Sequence, residues 1–129
     1  MKIGVGGIYP HGGAGFGGGG KIILPGVAGM DTIEANHKNI PGAGHGVIEK
    51  NENRADIEEA ARKAGLDVIV NTVINSRREI AGVFVGDMIK AHREGVKLAR
   101  EVYKTEIPKN IDVVITNAYP LDTEMFQIV

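Results

Sequence analysis

Two hydrophobic rhythms run along residues 47 to 129, and each predicts a different kind of element. Between Asn53 and Ala64, the positions Ile57, Ala60, Ala61 and Ala64 recur at the spacing of one helix face. Asp56 and Glu58 lie near the positive end of that helix, Asn53 is the expected N-cap, and Gly65 sits at the C′ position. A longer helix is predicted from Asp87 to Tyr103, with Met88, His92, Gly95, Ala99 and Val102 on one stripe. Apolar runs predict strands from Leu66 to Ile74 and from Glu79 to Val85, and a buried strand over Ile111 to Thr116. Towards the N-terminus, residues 2 to 8 predict a strand, and residues 31 to 38 a short helix with Asp31 as its cap. Such an alternation is α/β, a mixed or parallel sheet flanked by helices.

Residues 1 to 46 follow neither rhythm. They hold 15 of the 19 glycines and three of the four histidines. Ile3, Val5, Ile8, Phe16, Ile22, Ile23, Leu24 and Val27 are threaded among the glycines, which a solvated linker would lack, so an ordered ligand-binding loop is expected. With 129 residues the chain is long enough for one domain, a Gly-rich segment 1–46 joined to an α/β body 47–129. A strand beginning right after Met1, and a last short helix opened by Pro120 and Asp122, predict a fragment of a larger catalytic domain.

Charge and composition narrow the partners. Fifteen Lys and Arg against sixteen Asp and Glu leave a net charge of −1, so neither nucleic acid nor an anionic membrane is an expected partner. Without cysteine there is no disulfide, thiolate metal site or cysteine nucleophile; His and carboxylates remain as metal ligands, and a cytoplasmic setting is expected. No apolar run approaches the roughly 20 residues that cross a bilayer, and Met1 to Gly7 is too glycine-rich for a signal peptide.

Gly15-Phe16-Gly17-Gly18-Gly19-Gly20-Lys21-Ile22 matches the phosphate-binding G-x-x-x-x-G-K-[ST] loop until its last position, where Ile22 has no hydroxyl for magnesium. An NTPase is therefore disfavoured, yet backbone N–H groups from Gly17 to Gly20 beside the Lys21 cation predict an anion or phosphate cradle. Among the histidines, His11 and His37 are candidates for base or ligand. His92 lies on an apolar stripe and is expected to be a hydrogen-bonded core residue, while His45 sits in a Gly-His-Gly turn that fits either role.

Several segments together resemble the nickel-dependent lactate racemase family. They are Pro10-His11, Gly15 to Lys21, Leu24-Pro25-Gly26-Val27-Ala28-Gly29, Thr32-Ile33, Asn36-His37, Gly44 to Glu49, Ala91 to Gly95, Tyr119 to Asp122 and Phe126-Gln127. The resemblance spans essentially the whole chain and places it in the middle part of the catalytic domain of a longer enzyme, with the family's N-terminal domain absent. It implies a nickel-pincer nucleotide, with Lys21 as the cofactor-joining lysine and His37 completing the nickel coordination. His11 would be one of two catalytic histidines acting as acid and base, and Gln127 would contact the substrate carboxylate. The implied reaction is reversible hydride transfer that racemises a small 2-hydroxy acid. Ser is common in the family where this chain has Gly17, the second catalytic histidine and a substrate-binding arginine would come from the missing N-terminal part, and a lysine expected three residues after Gln127 from the missing C-terminal part. In isolation the chain is then expected to be inactive. The alternatives are a phosphate- or nucleotide-binding module without redox chemistry and a non-catalytic scaffold.

Overall fold

The computed structural model describes residues 1–38, 44–106, 109–113 and 115. A three-stranded sheet runs in the order β1 (Ile3–Gly7), β4 (Val68–Ile74), β5 (Ile80–Gly86). Strand β1 pairs parallel with β4, and β4 pairs antiparallel with β5, so the sheet is mixed. Between β1 and β4 the chain forms a small antiparallel pair, β2 (Pro10–His11) with β3 (Gly15–Phe16), then a 3-10 turn over Gly19–Ile22. Helices α1 (Met30–Lys38) and α2 (Glu52–Ala64) follow, and α3 (Lys90–Val102) packs against β4 and β5. The α/β expectation holds.

Alternation along β4 explains which face is inside. Ile69, Asn71 and Val73 point inward and are at most 2% exposed, each apolar one contributing about 1.5–3 kcal/mol. Helix α3 turns His92, Gly95 and Ala99 onto this face, as its stripe predicted, and buries Val96 beside them. At Gly95 any Cβ would lie 2.2 Å from Ile8 Cδ1, so glycine lets the helix close on the sheet. On the opposite face the registers bring together Ile3, Val5, Val83 and Val85, each more than half exposed.

Local details correct three expectations. The cap of α2 is Asn51, whose Oδ1 accepts the Arg54 amide at 2.9 Å, while Asn53 lies inside the first turn and bonds to Asn36. Asp31 lies within the first turn of α1, whose opening amides at Thr32 and Ile33 bond to the Gly29 carbonyl. Ile111, Val113 and Ile115 are exposed and in no strand, because no neighbouring strand receives them among the described residues. The Pro120 helix and Gln127 lie outside the described residues. Among the described residues, no helix is long and apolar enough to cross a membrane.

Candidate functional site

Three side chains from three different elements grip the glycine-rich run. From α2, Arg54 is 1% exposed and donates through Nε to the Ala14 carbonyl at 3.1 Å, and through its terminal nitrogens to the carbonyls of Gly18, at 3.3 Å, and Phe16. From β4, the Asn71 Oδ1 accepts the Gly19 amide at 2.8 Å and its Nδ2 donates to Gly6. From α3, the His92 Nε2–H donates to the Gly17 carbonyl at 2.8 Å, while its Nδ1 accepts from Arg93, itself paired with Glu58 at 2.7 Å. Burial, with the Arg54 charge adding to it, lowers the His92 pKa to about 3, so the ring is neutral. Its expected role as a hydrogen-bonded core residue is what the structure shows. Burial also lowers Arg54 to about 10, still a cation at neutral pH.

This grip accounts for the close packing of Gly17, Gly18, Gly19 and Gly20, the residues expected to form a phosphate cradle. The amides of Gly17, Gly19 and Lys21 are already taken by Tyr9, Asn71 and Gly18. A Cβ at Gly17 would meet the Tyr9 ring at 2.9 Å, at Gly18 the Asn71 Oδ1 at 2.7 Å, at Gly19 the His92 ring at 3.1 Å and at Gly20 the Ala61 Cβ at 2.9 Å. Gly18 and Gly19 also take φ of 76° and 61°, where a side chain is strained. The glycines are therefore demanded by close approach of protein to protein. Nor does a long helix follow Lys21, since turns run on to Val27 and α1 begins at Met30, unlike a nucleotide-binding loop.

Lys21, by contrast, is held at the edge of this packing. Burial, assisted by the Arg54 charge, lowers its pKa to about 8, which leaves roughly a tenth of the amine neutral and nucleophilic at pH 7. No carboxylate pairs with it among the described residues. His11 is partly buried on β2, and its pKa falls to about 4, first from burial and then from the charges of Lys21, Arg54, His37 and His45. His45 reaches the Gly12 backbone, where an added Cβ would lie 3.3 Å from its ring, and Gly46 beside it takes a positive φ.

Hydrogen bonds also fix the tautomers of His37 and His11. His37 is exposed, and its Nδ1 lies 2.7 Å from the Ile33 carbonyl, an acceptor, so Nδ1 carries the proton and Nε2 keeps a free lone pair. That is the form in which a neutral histidine binds a metal, with the carbonyl on its other nitrogen setting the ring's orientation. His11 is the reverse. Its Nδ1 accepts the amides of Gly13 and Ala14, both at 3.1 Å, which leaves the proton on Nε2. No three His, Asp or Glu side chains gather into a metal site among the described residues, and His37 offers a single nitrogen there.

Sequence reasoning missed Arg54 and Asn71. Arg54 stands in a helix rich in charge and carries no mark distinguishing it from a solvated neighbour. Asn71 does carry one, a polar residue at an inward position of an apolar strand.

Residues 1–46 match the family model described as the lactate racemase N-terminal domain. Over 136 residues the chain is 43% identical to the lactate racemase of Thermoanaerobacterium thermosaccharolyticum, and over 134 residues 39% identical to that of Lactiplantibacillus plantarum. In each case all of this chain but 32% of the relative is covered, so the chain spans about a third of the length of the curated relatives it matches. The lactate racemase apoprotein structure from T. thermosaccharolyticum superposes with a TM-score of 0.73 at 44% identity, over 78% of this chain and 25% of that one. A Thermotoga maritima protein with a TM-score of 0.65 and 21% identity, over 81% of this chain and 28% of that one, shares the fold. These findings overturn the placement in the middle part of the enzyme: the segment carrying His11, Lys21 and His37 matches the N-terminal domain, and the reason for calling that domain absent falls with it.

Proposed function

We propose that the chain is part of a racemase for a small 2-hydroxy acid and carries the anchor for a nickel-pincer nucleotide. The observation that carries this reading is an exposed His37 whose Nδ1 is tied to the Ile33 carbonyl and whose Nε2 is left free for a metal, in a chain that also holds a depressed Lys21 amine. Lys21 supplies a nucleophilic amine to which a carboxyl- or thiocarboxyl-bearing cofactor can be joined. His37 offers Nε2 as a neutral donor to nickel, its ring oriented by the Ile33 carbonyl. When bound, the group supplies a reversible acceptor for the hydride on the 2-carbon of the substrate. His11 is assigned to the substrate oxygen, and Gln127 to the substrate carboxylate, on the resemblance. Arg54, Asn71 and His92 hold the backbone that carries Lys21 and His11, so the residues that meet the cofactor and the substrate rest on a fixed support. The remaining parts of the longer enzyme complete the substrate pocket.

Intact-mass analysis and nickel assay of the protein purified from its native host test the reading. An added mass mapped to Lys21, with nickel, is expected. Lys21→Ala should lose both, whereas His37→Ala should keep the mass and lose most of the nickel. Protein with an unmodified Lys21 and no nickel refutes the assignment.

A further inference from the structure

The amide of Lys21 and the guanidinium of Arg54 converge on one atom. The Gly18 carbonyl accepts the Lys21 N–H at 3.3 Å, which helps close the 3-10 turn over Gly19–Ile22, and accepts Arg54 Nη1 at the same distance. Asn71 fixes that turn from the other side through the Gly19 amide, and a Cβ at Gly20 would lie 3.1 Å from the Ile57 carbonyl, so the turn rests directly on α2. The remaining donors of Arg54 go to the carbonyls of Ala14 and Phe16, which are neutral acceptors. Among the described residues no carboxylate forms an ion pair with it, since Glu58, one turn along α2, pairs with Arg93 at 2.7 Å. At 1% exposure the guanidinium is therefore hydrogen-bonded but not neutralised.

We propose that Arg54 is the positioning residue for Lys21: it holds the turn that presents the Lys21 side chain and, as a buried cation without a counter-ion, keeps that amine a nucleophile. The proposal rests on the reading that Lys21 is the cofactor anchor. An amine attacks only when neutral, and a fixed cation nearby disfavours its ammonium form. The Lys21 pKa of about 8 agrees, its causes being burial first and the Arg54 charge second. The other titratable groups that bear on the pair do not cancel this field. Arg93 and Glu58 offset each other, while His92 and His11, lowered to about 3 and about 4, are both neutral. Arginine suits the position because at about 10 it is still charged where Lys21 loses its proton, and because its fork reaches three carbonyls at once.

Competitive acetylation of the full-length protein, prepared without cofactor, tests this. Lys21 Nζ displaces acetate from a trace of acetic anhydride only as the free amine, releasing its proton to water, so peptide mass spectrometry across pH gives its midpoint. Half-maximal labelling is expected near pH 8. Arg54→Gln should lower labelling at pH 7 by roughly three- to tenfold, and Arg54→Lys, which keeps the charge, should restore most of it. A clamp acting through structure alone would not be rescued in this way, because lysine lacks the fork. A midpoint at the ordinary 10.5 in the unaltered protein, or equal labelling in Arg54→Gln, overturns the proposal. Because either Arg54 variant can fail to fold, the same coupling is also read in reverse. The Arg54 ¹⁵Nε–H resonance of the unaltered protein should shift with a midpoint near pH 8, and Lys21→Met should abolish that shift. A resonance that stays still, or moves equally in Lys21→Met, overturns it without any Arg54 variant. Failure of the cofactor reading registers separately, as unmodified Lys21 and no nickel in protein from the native host, and leaves these results standing.

Discussion

Replacing Arg54 by Met keeps most of the volume of the side chain and removes the guanidinium that binds the Ala14, Phe16 and Gly18 carbonyls. Hydrogen bonds to a charged group are worth about 1.5–3 kcal/mol each, and a buried carbonyl left unpaired costs about 1–3 kcal/mol. Water can re-enter near Gly18, the longest of these contacts, but not readily near Phe16, which is 2% exposed. Removing the cation also frees Glu58 from one neighbour, although Arg93 still pairs with it at 2.7 Å. The net expectation is a loss of about 3–5 kcal/mol, a large share of the ~5–15 kcal/mol typical of a whole domain. Urea denaturation followed by circular dichroism measures it, and Tm should fall by roughly 10–20 °C. Hydrogen exchange gives the local readout: the Gly17 and Gly19 amides should lose protection before the β4 amides do. Arg54→Lys retains the charge but not the fork, and should recover less than half of the loss. A penalty below about 1 kcal/mol, with unchanged exchange at Gly17 and Gly19, would refute the role of Arg54 as the clamp of the glycine run.

Three further outcomes are expected. Unfolded, His92 binds a proton below its ordinary 6.5, whereas folded it resists until about 3, so the unfolded state holds more protons and stability falls with pH by up to roughly 5 kcal/mol across that window; His92→Gln should flatten that limb of a stability–pH curve. Gly20→Ala forces a Cβ to 2.9 Å from Ala61 and 3.1 Å from the Ile57 carbonyl and should cost about 1–3 kcal/mol in the absence of any anion, a loss that chemical denaturation measures and that phosphate should not restore. Val83→Lys combined with Val85→Lys should reduce binding of a hydrophobic dye, because the two valines are 53% and 63% exposed on one sheet face, and should leave the urea midpoint nearly unchanged.

Period and punctuation in the sequence alone determined the elements. The helix face of Ile57 and Ala61, the stripe of His92, Gly95 and Ala99, and the strands around Ile69 and Val83 were legible because burial of one face imposes a repeat on the chain. Helix starts were less legible, since both Asn51 and Asn53 qualify as caps and only the backbone entering the helix selects Asn51. The resemblance named His11, Lys21 and His37 before any fold was known. Tertiary structure alone decided what these residues can do. A glycine-rich run permits both a ligand cradle and a tight passage through protein, and the arrival of Tyr9, Asn71, His92 and Ala61 accounts for the tight passage. Arg54 gained its role because α2 happens to face three carbonyls that local structure leaves unpaired. Likewise, no spacing rule says which imidazole nitrogen holds its proton: an Ile33 carbonyl on one ring and two amides on the other settle that, and these partners belong to the folded backbone rather than to the residue types.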